Sequence, residues 1–176
     1  MNEKEQKNQL EEWTGLQCSD IVFDSNVDNW SAGTTVFNER IIGKKQLVFL
    51  IEDEDGEKFG YYLNTKVIKE YWPNVIETDN KSFHFNLESN GRLQQPMKFD
   101  IKNLKYGGYL LYEKSSVNLI TFGDIVLWKE NKKNSSFCYQ NEDWFDYHGI
   151  EKALCGKIGW KGEFFTPKRI LVIQMK

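Results

Sequence analysis

Cysteine is scarce: Cys18, Cys138 and Cys155 are the only three in 176 residues, and they lie far apart. An odd count at wide spacing is unlike the even, closely spaced frameworks of small secreted domains, so reduced thiols are expected. Histidine is scarcer still, with only His84 and His148. These Cys and His residues show no CxxC or HxxxH spacing, so they do not supply the paired ligands of a structural zinc site, and no metal is expected. Long apolar runs are missing too. The longest, Leu47 to Ile51, has five residues against the roughly 20 a membrane helix requires, so no membrane insertion is expected. Residues 1–16 are rich in Glu, Lys and Gln with no apolar segment, which does not fit a secretory signal. A cytosolic location is the expectation, with the nucleus as the alternative. Glycine-rich phosphate cradles are absent as well: neither GxGxxG nor GxxxxGK[ST] occurs, and no cofactor is expected.

Aromatic residues are what the chain has in plenty: 12 Phe, 8 Tyr and 6 Trp make up 15% of it. Each buries about 150–250 Å² when fully packed, enough for a large core. At roughly 150 residues per domain, the length suits one domain. An apolar fraction of 40% and a charged fraction of 28% are near the globular average, far from disordered, collagenous or coiled-coil compositions. Phe37, Phe49, Phe59, Phe83, Phe85 and Tyr109 fall on expected strands and suit a sandwich interior. Trp30, Trp128, Trp144 and Trp160 fall at element ends or beside polar loops, where burial is not guaranteed, and this is where a partner surface is to be sought.

Residues 3–16 place Leu10 and Trp13 three apart among helix formers, with Gly15 as a stop, and read as a short peripheral helix. Beyond it the period changes to that of strands. Ile21 to Phe23 ends in an Asp24-Ser25-Asn26 turn, and Thr34 to Phe37 is β-branched and aromatic. Gln46 to Ile51 and Phe59 to Leu63 flank Asp55-Gly56, a strong hairpin signal because both residues tolerate positive φ. Asn64 is placed to cap a helix with Val67, Ile68, Tyr71 and Trp72 on one face, closed by Pro73. Ser82 to Leu87 alternates as a half-buried strand, and further strands are expected at 96–101, 109–113, 117–121 and 125–129. Residues 129–136 read as a polar loop and 143–154 as a helix. Arg169 to Met175 closes the chain as a strand buried on both faces. The expected fold class is α+β, mainly β: a two-sheet β-sandwich flanked by a few short helices. Residues 1–16 form an N-terminal helical extension and 17–176 a single domain.

Motifs for chemistry are incomplete. Centring an EF-hand loop on Gly56 puts Ile51 and Tyr62 at its two end positions, where oxygen ligands are needed, so an acidic hairpin turn is favoured over calcium. Glu142 and Asp143 are adjacent and point apart, unlike the facing carboxylates of a glycosidase. Cys138 or Cys155 with His148 is the one nucleophilic pairing available, and a small buried hydrophobe is the more natural role for either thiol. No catalytic residue is assigned. Basic clusters occur at Lys129, Lys132 and Lys133, at Lys157 with Lys161, and at Lys168-Arg169. They sit on a chain of net charge -3, whereas nucleic-acid modules usually carry a basic face. Lys129, Lys132, Lys133, Arg169 and Trp128 are the candidate contacts for a nucleic acid or a protein partner.

The string Leu47-Val-Phe-Leu-Ile-Glu-Asp-Glu-Asp-Gly-Glu-Lys-Phe-Gly-Tyr-Tyr-Leu63 resembles the signature hairpin of the TLDc domain family. Val22 to Ser25, Trp30-Ser31, Thr35 to Phe37, Ser82 to Leu87, Phe137 to Asn141 and Arg169 to Met175 follow in the family's order. The resemblance covers most of the chain after residue 17. It implies a β-sandwich with short helices, a role in resistance to oxidative stress, and contact with the vacuolar proton-pumping ATPase. It brings no agreed catalytic residues. A non-enzymatic protein-interaction domain is the expected function. The alternatives are a DNA-binding regulator of stress genes and a thiol-based redox enzyme or sensor.

Overall fold

The hairpin at Asp55-Gly56 sets the frame of the molecule. In the computed structural model, which describes residues 1–176, Gly56 takes φ 83°, and Asp53 Oδ1 accepts the backbone N–H groups of Asp55 and Glu57 at 2.9 and 3.0 Å. That turn joins β2 (Leu47–Asp53) to β3 (Lys58–Leu63), paired from Glu52↔Lys58 to Leu47↔Leu63. Around this pair stand β1 (Cys18–Asp24), β4 (Phe83–Glu88), β5 (Met97–Asp100) and β10 (Pro167–Met175), giving a six-stranded sheet of order β1-β10-β2-β3-β4-β5. A second sheet of order β6-β7-β8-β9 holds β6 (Tyr109–Leu111), β7 (Asn118–Phe122), β8 (Ile125–Trp128) and β9 (Phe137–Cys138). Both sheets are antiparallel. The mainly β, two-sheet fold expected from the sequence is the fold observed.

Strand alternation divides the apolar residues between two cores. Leu47, Phe49 and Ile51 point into the space between the sheets, whereas Val48 and Leu50 point to the other face of the large sheet. Between the sheets Phe49 lies 5.0 Å from Phe122, ring centre to ring centre, and Tyr61 stacks on Phe122 at 5.6 Å. On the far face α1 (Glu3–Thr14) lays Leu10 and Trp13 over Val48, Leu50, Tyr62, Phe83, Phe85 and Leu87. This helix has a capping box from Asn2 and Glu5 and stops at Gly15, whose φ of 69° suits a residue without Cβ. β10 is fully buried on one face only: Ile170 and Val172 face the inter-sheet core, whereas Leu171 and Ile173 are half-buried beside the second cluster and line an open pocket at the edge of α1, so the expected burial on both faces is not met.

Several expectations are overturned. Phe83 and Phe85 do share a face, but it is the face under α1, where Trp13 meets them at 6.3 and 6.1 Å. The inter-sheet side of β4 carries His84 and Asn86 instead. Residues 34–37 are not a strand: α2 (Val36–Ile41) begins there and buries Phe37 and Ile41 one turn apart. No helix forms over 64–72, because its backbone donors bond groups distant in sequence. Val67 N–H reaches Lys44 O, Ile68 N–H the Tyr109 hydroxyl and Trp72 N–H Leu111 O. No helix forms over 143–154 either; left-handed residues at His148, Gly149 and Lys152 interrupt it. The polar loop after Lys129 contains a 3-10 turn, Glu130–Ser135.

Candidate functional site

Of the residues nominated from the sequence, Lys129 turns inward. Its side chain is buried, and Nζ donates to the carbonyls of Glu113 and Lys114 at 3.4 and 2.9 Å. Burial lowers the pKa of its ammonium group, and the side chain ties the end of β8 to the β6–β7 turn. Arg169 grips Asp24 with two bonds, Nε to Oδ1 at 3.1 Å and Nη2 to Oδ2 at 2.7 Å, which holds the Asp24 carboxyl below its usual range. Lys132 is exposed and Lys133 half-buried; neither forms an ion pair. Trp128 ends β8 of the small sheet, Lys132 and Lys133 follow it, and Arg169 lies on β10 of the large sheet; with Lys129 turned inward and Arg169 paired to Asp24, only Lys132 and Lys133 of the five keep an unpaired charge. The other clusters are neutralised: Lys157 pairs with Asp55, Lys161 with Glu151 and Lys168 with Glu52.

Cys138 and Cys155 meet in the core, Sγ to Sγ 3.4 Å apart, and both are free thiols. Burial pushes the Cys138 thiol well above its ordinary range, and the neighbouring thiol adds to the shift. His148 does not join them. It sits at the surface, with Nε2 3.3 Å from Lys98 O and Nδ1 3.6 Å from Asp146. Cys, His and a third orienting group therefore do not assemble into a nucleophilic site.

A buried polar cluster, which sequence reasoning missed, lies where β4 faces the small sheet. His84 Nε2 accepts Asp124 N–H at 2.9 Å, and Nδ1 lies 3.2 Å from Gly60 O, which assigns the proton to Nδ1. Full burial pushes the imidazole down to about 3, so it is neutral at physiological pH. Asp124 Oδ2 accepts Asn141 N–H at 2.7 Å and the Tyr147 hydroxyl, while Oδ1 is buried without a partner. Burial lifts this carboxyl to about 7, against the pull of the Tyr147 bond. Gly123 is required beside it, since a Cβ there lies 2.4 Å from His84 Nε2. The signal for this cluster was present in Ser82-Phe-His-Phe-Asn-Leu87: period two places His84 and Asn86 together, opposite the phenylalanines. Its buried members, His84, Asp124 and Tyr147, tie β4 of the large sheet to the small sheet and the segment that follows it.

Among the open features of the surface, the most aromatic is the outer face of the small sheet. Cross-strand register sets Leu110, Thr121, Val126 and Phe137 in one row over β6, β7, β8 and β9. Tyr112 lies beside that row, its hydroxyl 2.9 Å from Thr121 Oγ1. Loops wall the row with further aromatics: Tyr106 and Trp144 stack at 4.7 Å and 12°, and Tyr139 meets Phe137 edge-on at 4.9 Å. The groove encloses about 320 Å³, and Lys105 is the single charged residue in its wall. Of the tryptophans expected at loop edges, Trp128 and Trp144 line this groove half-buried, Trp160 is 67% exposed elsewhere, and Trp30 is buried in the core at 3%. Trp30 is thus a correction: Glu130 N–H bonds its carbonyl and the ring fills the sandwich.

No family model matches the chain, and no curated protein matches it. No helix is long and apolar enough to cross a membrane.

Proposed function

We propose that this protein is a non-enzymatic protein-interaction domain of TLDc type, acting in the response to oxidative stress. The observation that carries the reading is the aromatic-walled groove on the outer face of the small sheet, where Tyr106, Tyr139 and Trp144 stand beside a single charged residue. Its occupant is an extended segment of a protein partner. Tyr106, Tyr139 and Trp144 supply rigid, amphipathic area of the sort that dominates interface energetics. A wall with no acidic side chain and one lysine selects against a cationic segment and for a neutral or anionic one. The TLDc-like hairpin and the order of motifs make a subunit of the vacuolar proton-pumping ATPase the partner to test first.

The experiment is site-specific photocrosslinking in cells, with a photoreactive residue at Tyr139 in the groove and, as control, at Val27, which is 81% exposed elsewhere. The expected result is one protein, an ATPase subunit by preference, crosslinked at Tyr139 and not at Val27. Identical products from both positions, or none from either, refute the groove as a docking surface.

A further inference from the structure

Twelve of the 23 lysines and arginines form no ion pair, and half of these gather at one end of the sandwich. Backbone bonds bring the segments together. Gly43 N–H bonds Val67 O and Val67 N–H bonds Lys44 O, both at 2.8 Å, so Lys44 and Lys45 lie across from Lys66 at the open end of the β2–β3 pair. Lys69 and Lys114 line one shallow cleft with Tyr71 and Ser115. The buried Lys129 ammonium bonds Lys114 O, which brings the 3-10 turn bearing Lys132 to the same end. Lys44, Lys45, Lys66, Lys69, Lys114 and Lys132 are all exposed. Glu70, Glu113 and Glu130 are interspersed along these segments without ion pairs, and Asp20, paired with Lys176, lies within electrostatic reach of Lys44; six unpaired lysines still leave positive charge in excess there on a chain that is net negative. The groove runs toward this end, since Tyr112 and Trp128 in its wall lead directly to Lys114 and Lys132.

We infer that this lysine-rich end binds an acidic polypeptide segment of the partner, continuous with the segment seated in the groove. The inference rests on the protein-interaction reading above and adds the chemistry of the partner. Unpaired lysines are mobile point charges suited to carboxylates, and their field raises the encounter rate with an acidic chain. The interspersed carboxylates decide between anionic partners. A nucleic-acid backbone or an anionic membrane presents negative charge continuously and meets those carboxylates unavoidably. A peptide with discrete Asp and Glu side chains places its charges between them.

The test uses the full chain and a fluorescent ten-residue oligoglutamate peptide as probe, titrated at 50 and 200 mM salt. The expected result is binding at 50 mM that weakens at least tenfold in K44E/K66E/K69E. It should persist in K4E/K161E/K168E, which makes the same change of charge on exposed lysines away from this end. Raising salt to 200 mM should weaken the wild-type complex, because such charges are screened over about 8–10 Å. No binding at 50 mM, or equal loss in both triple variants, overturns the inference. A 20-base-pair duplex or vesicles with anionic lipid binding more tightly than the peptide, with loss in the first triple variant, also overturns it in favour of that partner. Near-ultraviolet circular dichroism confirms folding of the variants. The two readings separate cleanly. A partner crosslinked at Tyr139 whose binding ignores K44E/K66E/K69E sinks the charge inference alone. Oligoglutamate binding that needs these lysines, with no partner at Tyr139, sinks the groove alone.

Discussion

Replacing Asp124 by asparagine should make the stability of this protein less sensitive to a rise of pH through neutrality. The folded-state carboxyl titrates near 7 because it is buried between the sheets, against 3.8 for the ordinary value. A carboxyl whose folded pKa is raised holds its proton more tightly in the native state. Its stabilisation is therefore complete below pH 3.8 and is lost as pH rises through 7. At about 1.4 kcal/mol per unit the whole shift corresponds to about 4 kcal/mol, of which about 3 kcal/mol is lost between pH 5 and 8. The side-chain amide of D124N does not ionise, and its carbonyl can still accept from Asn141 N–H and the Tyr147 hydroxyl. His84 titrates with the opposite sign: burial holds it near 3, so protonation of the unfolded chain erodes stability as pH falls below 6.5. That contribution is common to both proteins and cancels in the comparison. Urea unfolding of wild type and D124N at pH 5, 6.5 and 8 measures the difference. The variant should gain on the wild type by about 3 kcal/mol from pH 5 to 8. A difference that stays flat within about 1 kcal/mol would show that Asp124 is ionised in the native state at neutral pH and that its burial is offset by other contacts.

Other outcomes follow from single contacts. Phe85→Ala should cost about 3–5 kcal/mol in urea unfolding, and Leu10→Ala about 2–5, since both fill the cluster under α1; near-neutral values would mean that the helix does not pack there in solution. Gly60→Ala should cost about 3 kcal/mol or more, because a Cβ at that position lies 1.8 Å from the Phe49 carbonyl oxygen, and a wild-type melting curve would refute that approach. Cys138 and Cys155 should resist iodoacetamide at pH 7.4 in the folded protein and react after unfolding, as mass spectrometry of the alkylated chain will show; rapid native labelling of either would revive the thiol-sensor reading.

Where local chemistry decides the backbone, the fold was legible in the sequence. Asp55-Gly56 marked the central hairpin, Gly15 the end of the first helix, and the alternation over residues 82–87 marked β4. What failed was the choice of face, the short helix at Val36–Ile41 read as strand, and the two helices expected over 64–72 and 143–154, where bonds to distant parts of the chain prevail. The alternation in β4 does not say which side looks inward, and apolarity suggested the wrong one, because α1 supplies a second hydrophobic environment for Phe83 and Phe85. Val67, Ile68, Tyr71 and Trp72 have helical spacing, yet their segment threads between Lys44 and Leu111 and spends its N–H groups there. At the candidate site, the tryptophan-bearing loop edges held part of the groove, at Trp128 and Trp144, and the scattered lysines gave no hint of gathering. Their proximity depends on the strand order, which no local pattern encodes.

The helix over the large sheet gives the molecule a front and a back. Of the four sheet faces, two meet in the sandwich core, one lies beneath α1 and one is bare. A bulky fusion attached before Met1 therefore hangs on the side away from the aromatic groove and leaves it open. A chain shortened to start at residue 17 behaves differently: it strips the cover from Val48, Leu50, Phe83 and Phe85 and turns the back into a second sticky surface.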